Sequence, residues 1–143
     1  MRAWLVFVGV VSVLGQVVLL RELAVASFGV ELVYALALGV WLCGGALGAT
    51  LPVRERLGRA AWLAASLAVP LGVVALRGAR PLLDSVPGAY LPLGTQLGVA
   101  AMGLVPAAAL LGALFPIAAR GSGLPLRRAY AWECAGGAAG GIA

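Results

Sequence analysis

The chain has 143 residues, of which 63% are hydrophobic and only 10% are charged. An ordinary soluble domain carries roughly 25% charged residues, so this composition excludes a water-facing surface over most of the chain. The net charge of +5 comes from arginine alone, since the sequence contains neither lysine nor histidine. The arginines lie at the ends of apolar runs and not along one face, which favours contact with a membrane surface and argues against nucleic acid.

The apolar runs predict an all-α, multi-pass transmembrane helical bundle that forms a single domain over residues 1–143. We expect about five helices, which cover about residues 4–28, 32–53, 60–76, 93–119 and 129–143. The second has 22 residues, or about 33 Å, which is enough to cross a hydrocarbon core of about 30 Å. The last has 15 residues, or about 22 Å, so we expect it to be truncated.

The first segment has two interpretations. Arg2 before the apolar run and Ala24-Val25-Ala26 after it resemble the parts of a secretory signal peptide. However, the apolar run of 17 residues is longer than the usual core of about 7 to 15, and Arg21-Glu22 interrupts the approach to the cleavage site. These features favour a helix that stays in the protein.

The distribution of arginine predicts the orientation, because short cytoplasmic loops retain positive charge. If the N-terminus is cytoplasmic, seven of the ten arginines are cytoplasmic: Arg2, Arg54, Arg56, Arg59, Arg120, Arg127 and Arg128. The outer side then holds Arg21, Arg77 and Arg80, the last two in a proline-rich segment, residues 77–92, that predicts a loop. We therefore expect a multi-pass protein of the cell (inner) membrane with a cytoplasmic N-terminus.

Glycines at four-residue spacing predict where helices meet. Gly44 and Gly48 share one face of the second helix, and Gly136 and Gly140 share one face of the fifth. Glycine lets two backbones approach closely, which drives association where lipid supplies no hydrophobic force. We favour the interpretation that these glycines serve ordinary helix packing over one that gives them a special functional role.

Few side chains in this fragment suit catalysis. The carboxylates are Glu22, Glu31, Glu55, Asp84 and Glu133, and no nucleophile has a base at partner spacing. We therefore expect no catalytic residue, no metal site and no cofactor in this fragment.

The candidate substrate-binding residues are Arg21, Glu22, Glu31 and Glu133. A charged side chain at the centre of a membrane costs about 2.5 to 3.5 kcal/mol on insertion scales, so such residues are usually paired or functional. For Arg21, Glu22 and Glu31 the alternatives are anchoring at the membrane interface and a site for a substrate or an ion. In one arrangement Arg21 pairs with Glu31 across the loop and leaves Glu22 free.

Three motifs in the same order resemble one family. "QVVLLREL" followed by "FGVELVYALALGVWLCGGALGA" resembles the opening membrane helices of fused spermidine synthase-like proteins. "LLGALFPIAAR" is similar to that family's Gly-x-x-Phe-Pro element near the end of a helix. "RAYAWECAGGAAGG" is similar to the following helix, which opens with Tyr-Ala, has an acidic or amide residue shortly after, and continues with four-spaced glycines.

The resemblance implies that a multi-pass domain precedes further helices and a soluble catalytic domain of the aminopropyltransferase type. The family's Gly-rich, Asp-containing loop and its acidic nucleoside and polyamine residues do not occur before Ala143. The implied chemistry therefore belongs to the parent protein. The expected partners are the lipid bilayer and a polyamine or other small cation, which Glu22, Glu31 and Asp84 would attract.

Two alternatives have no catalytic domain. One is a multi-pass transporter of a small, possibly cationic, solute, in which Pro106 and the spaced glycines would let helices rock. The other is a purely structural membrane anchor.

Overall fold

A computed structural model describes residues 2–27, 31–52, 58–83 and 91–142. Its secondary structure is helical: α1 (Arg2–Ala26), α2 (Glu31–Thr50), α3 (Gly58–Leu82), α4 (Leu93–Ser122) and α5 (Leu126–Ile142). Four of these, α1 to α4, include stretches long and apolar enough to cross a membrane. The prediction of an all-α chain of five helices is confirmed for the described residues.

The helices alternate in direction along the chain, and their middles meet at the same level. Gly15 of α1 lies beside Val69 of α3, Leu111 of α4 and Trp41 of α2. We call the end of the bundle that holds Arg2 the near end. The opposite end, where Glu22 of α1 contacts α3, is the far end.

The predicted glycine faces are packing faces. A Cβ at Gly44 would lie 2.9 Å from that of Ala108, and one at Gly48 would overlap the backbone of Ala109, so α2 packs directly on α4. Likewise, α5 packs on α1, where Cβ atoms at Gly136 and Gly140 would meet the backbones of Val6 and Val10. Only glycine permits these backbone approaches.

The buried centre is formed mainly by leucine and alanine. Its largest fully buried side chains are Leu5, Leu19, Leu23, Leu76, Leu104, Leu114, Val8 and Val33. The first helix supplies half of this set, so α1 is an integral part of the bundle. Many large apolar side chains point outward instead, among them Val17, Leu42, Leu63, Leu67, Leu71, Val74 and Met102.

Helix α3 is longer than predicted. The expected boundary was residue 76, with a proline-rich loop after it, whereas the helix continues to Leu82 and includes Pro81. Leu76 and Ala79 are buried, and Arg77 pairs with Glu22, so contacts with the rest of the bundle hold these final turns. Tertiary packing overrides the local signal of proline and glycine.

Helix α5 starts earlier than predicted, at Leu126 and not at residue 129. The Pro125 carbonyl accepts hydrogen bonds from the backbone N–H groups of Arg128 and Ala129. Proline is tolerated just before the first helical residue, because the N–H that it lacks would have no hydrogen-bond partner within the helix.

Candidate functional site

The far end of the bundle contains a bidentate ion pair between α1 and α3. The Arg77 Nε donates to Glu22 Oε2, and its Nη2 donates to Glu22 Oε1, both at 2.7 Å. The Glu22 side chain is only 17% exposed, whereas that of Arg77 is 69% exposed. This fork geometry satisfies both carboxylate oxygens of Glu22, which makes the pair a structural clamp between two helices.

The other far-end candidates stand apart from this clamp. Arg21 and Glu31 are exposed, and no ion pair joins them in the described structure. The arrangement in which an Arg21–Glu31 pair leaves Glu22 free is therefore wrong: Glu22 is the residue that is paired. Asp84, which we expected to attract cations together with Glu22 and Glu31, lies outside the described residues.

Glu133 lies in a different part of the bundle. Its backbone contacts Gly9 in the near-end half of α1. From Gly9 to Glu22 the helix advances by 13 residues, or about 20 Å. The structure therefore does not bring the four predicted residues into one site, and Glu133 is separate from the far-end group.

Glu133 lines a groove with a volume of about 520 Å³ that lies between α2 and α5. Small residues of α2 and α4 form much of its surface, because Gly45, Ala108 and Gly112 leave the space open. The full lining is Ser12, Trp41, Leu42, Gly45, Ala46, Ala49, Ala108, Gly112, Phe115, Tyr130 and Glu133. Four helices contribute, so the groove is created by the tertiary fold.

Aromatic side chains belong to this lining. Phe115 and Tyr130 pack edge to face with their ring centroids 6.1 Å apart. Trp41 is 6% exposed and extends from the buried centre to the groove. Sequence reasoning missed Ser12, Trp41 and Tyr130 as site residues, since no spacing in the chain connects them. The one usable signal was Glu133, an acid within an apolar helix.

The carboxylate of Glu133 is partly buried and has no ion pair with the described residues. Arg2 of α1 reaches α5, but its guanidinium lies over the Trp132 ring, 5.8 Å from the ring centroid. A carboxylate removed from water is stabilised by a positively charged or hydrogen-bonding partner. Among the candidate residues, Glu133 is thus the partly buried carboxylate that could form an ion pair with a ligand.

Gln96 is a second polar group inside the bundle. It is 7% exposed, and its Nε2 donates to the Leu91 carbonyl at the start of α4. Its Oε1 has no hydrogen-bond partner among the described residues. The side chain therefore satisfies a backbone carbonyl that lies just before α4, and its own carbonyl oxygen is the unpaired group.

The described residues contain no group of three or more His, Cys, Asp or Glu side chains that could hold a metal ion. The groove therefore offers one carboxylate, two hydroxyl groups and several aromatic faces. These groups can bind and orient a molecule.

The chain has no significant match to a protein family, a curated protein or a solved structure.

Proposed function

We propose that the chain is the membrane-embedded module of a spermidine synthase-like protein, which anchors or supplies a catalytic domain of the aminopropyltransferase type. The observation that carries the membrane part is the apolar exterior. Leu63, Leu67, Leu71 and Val74 are each at least 59% exposed on α3 alone. A continuous apolar exterior of this kind is a liability in water and is the normal surface of a helix in lipid.

The distribution of aromatic residues supports the same proposal. Trp4, Phe7 and Trp62 form a cluster at the near end, with ring centroids between 5.2 and 6.3 Å apart. Tryptophan and arginine are enriched where helices leave a bilayer. The near end also carries most of the described arginines: Arg2, Arg59, Arg120, Arg127 and Arg128.

We propose that the near end is cytoplasmic, since cytoplasmic ends carry the excess of arginine. The test uses single cysteines in a chain whose Cys43 and Cys134 are replaced by serine. A membrane-impermeant thiol reagent added to intact spheroplasts should label Ser85→Cys and leave Glu55→Cys unlabelled until the membrane is opened. The reverse pattern would overturn the orientation and leave the membrane proposal standing.

The proposal of a catalytic domain in the parent protein rests on the resemblance of the three sequence motifs to the spermidine synthase-like family. Their positions are compatible with one unit, because Phe115 of the second motif packs against Tyr130 of the third. Sequencing the parent gene beyond Ala143 tests this proposal. After further helices, the encoded sequence should contain a Gly-rich loop with an acidic residue. More membrane helices with no soluble domain would contradict this part and favour a transporter.

A transporter of a small cation is the second candidate. The groove beside Glu133 favours it, because this carboxylate has no ion-pair partner within the described residues. A purely structural anchor remains the third candidate, for which exchange of every charged residue should leave the parent's activity unchanged.

A further inference from the structure

We propose that the groove between α2 and α5 binds a singly charged organic ammonium ion that has an apolar body. The ammonium group lies at Glu133, and the body extends along α2 between Trp41 and Ala49. This inference goes beyond the proposed anchoring role. It depends on the membrane proposal only in that lipid lowers the dielectric around the groove.

The charge of the ligand follows from Glu133. This carboxylate is partly buried in a lining that is otherwise uncharged. The Arg2 guanidinium, which is held over Trp132, forms no ion pair with it. Opposite charges attract more strongly in such surroundings than in water, so a cation is favoured over a neutral molecule of the same shape.

The side chains that line the groove indicate that the rest of the ligand is organic and apolar. The groove presents Trp41, Phe115 and Tyr130, and aromatic faces attract ammonium groups and pack against apolar chains. A bare Ca²⁺ ion would need about six to eight oxygen ligands. The oxygen-bearing side chains of the lining are those of Ser12, Tyr130 and Glu133. This is too few for Ca²⁺ but suits an ammonium group, which donates three hydrogen bonds.

The single positive charge follows from the single carboxylate. From Trp41 to Ala49 the α2 wall extends eight residues, or about 12 Å. A polyamine of that length would place its second and third ammonium groups against alanine and leucine, where they would lose water without gaining a partner. The groove therefore discriminates against polyamines, unlike the far-end acids that we expected to attract them.

The binding experiment uses the purified chain in lipid nanodiscs and 2-phenylethylammonium as the probe, followed by equilibrium dialysis. The uncharged analogue 2-phenylethanol and the polyamine spermidine are the comparison ligands. We expect saturable binding of the probe, with affinity at least about tenfold above that of either comparison ligand. Equal uptake of the probe and 2-phenylethanol would mean partition into lipid and would overturn the proposal.

Three variants locate the site. Glu133→Gln keeps the shape of the side chain and should weaken probe binding by about tenfold or more. Ala46→Phe keeps Glu133 and fills the groove, so it should weaken binding as well. Glu31→Gln, which removes an exposed far-end charge, is the matched control and should bind like the unmodified chain.

The result that overturns the proposal is probe binding by Glu133→Gln within about twofold of the unmodified chain, with both proteins equally folded by circular dichroism. An ion pair between Glu133 and a helix of another protein, detected by cross-linking, would also overturn it. Failure of the membrane proposal is distinguishable, because a chain that stays outside the lipid would not be recovered in nanodiscs at all.

Discussion

Glu22 on α1 and Arg77 on α3 meet in a two-point ion pair with both N···O distances at 2.7 Å, although 55 positions separate them in the chain. The pair fixes the register of the two helices at the far end. It also explains why α3 continues to Leu82, into a segment whose prolines predict a loop. A charged residue that is expensive in an apolar chain thus has a structural role.

We predict that Glu22→Gln and Arg77→Gln each lower the melting temperature of the detergent-solubilised chain. The double variant should lose less stability than the sum of the two single losses, because the second substitution removes the partner of an interaction that is already lost. Arg21→Gln is the control, since Arg21 is exposed and has no ion pair within the described part of the chain. Strictly additive losses would show that the two residues do not act together.

The close approach of α2 to α4 predicts a large difference between two glycines of the same helix. Gly48→Ala should destabilise the bundle by about 1 to 3 kcal/mol, because the new methyl group overlaps the Ala109 backbone. Gly39→Ala should be neutral or stabilising by up to about 1 kcal/mol, since no atom of residues 2–27, 31–52, 58–83 and 91–142 lies within 4 Å of the added Cβ. Reversible unfolding in mixed micelles measures both, and equal effects would contradict the packing.

A corresponding pair of leucines tests the core of α3. Leu76 is 1% exposed and contacts Gly103, so Leu76→Ala should cost about 2 to 5 kcal/mol. Leu71 is 64% exposed on the same helix, and Leu71→Ala should change stability by less than about 0.5 kcal/mol. A comparable loss at both positions would show that the faces of α3 are assigned incorrectly.

The sequence predicted the helices and the glycine contacts well, because each is encoded locally. A long apolar run indicates a membrane-length helix, and Gly44 with Gly48 indicates a close-packed face. The end of α3 could not be predicted, since Arg77 is held by a residue on another helix. In the same way, the proline-rich composition of residues 77–92 indicates a local preference for a loop, but it contains no information on the contact between Arg77 and Glu22.

The candidate site was predictable only in part. Glu133 could be identified as an acid inside an apolar helix, but its surroundings come from α1, α2 and α4. Ser12, Trp41 and Phe115 are ordinary members of their own helices, and only the packing places them on one groove. Arg21, Glu22 and Glu31 are close in sequence, yet the structure pairs Glu22 with a distant arginine.

The contact between α1 and α5 predicts that α5 docks through glycine. Gly136→Leu should release α5 and speed its cleavage by protease in detergent, because the new side chain overlaps the Val6 backbone. Gly141→Leu is the matched control, as a Cβ there has its nearest neighbour in the described structure, Val13, at 3.9 Å. If both variants are cleaved at the rate of the unmodified chain, α5 does not depend on this contact.

The central claim is that lipid surrounds these helices, and flotation after alkaline carbonate extraction tests it most directly. Bacterial membranes that contain the expressed chain are washed with carbonate at pH 11 and centrifuged through a sucrose gradient. We predict that the chain floats with the lipid vesicles, as an integral protein does. Recovery of a monodisperse chain in the detergent-free soluble fraction would contradict the claim.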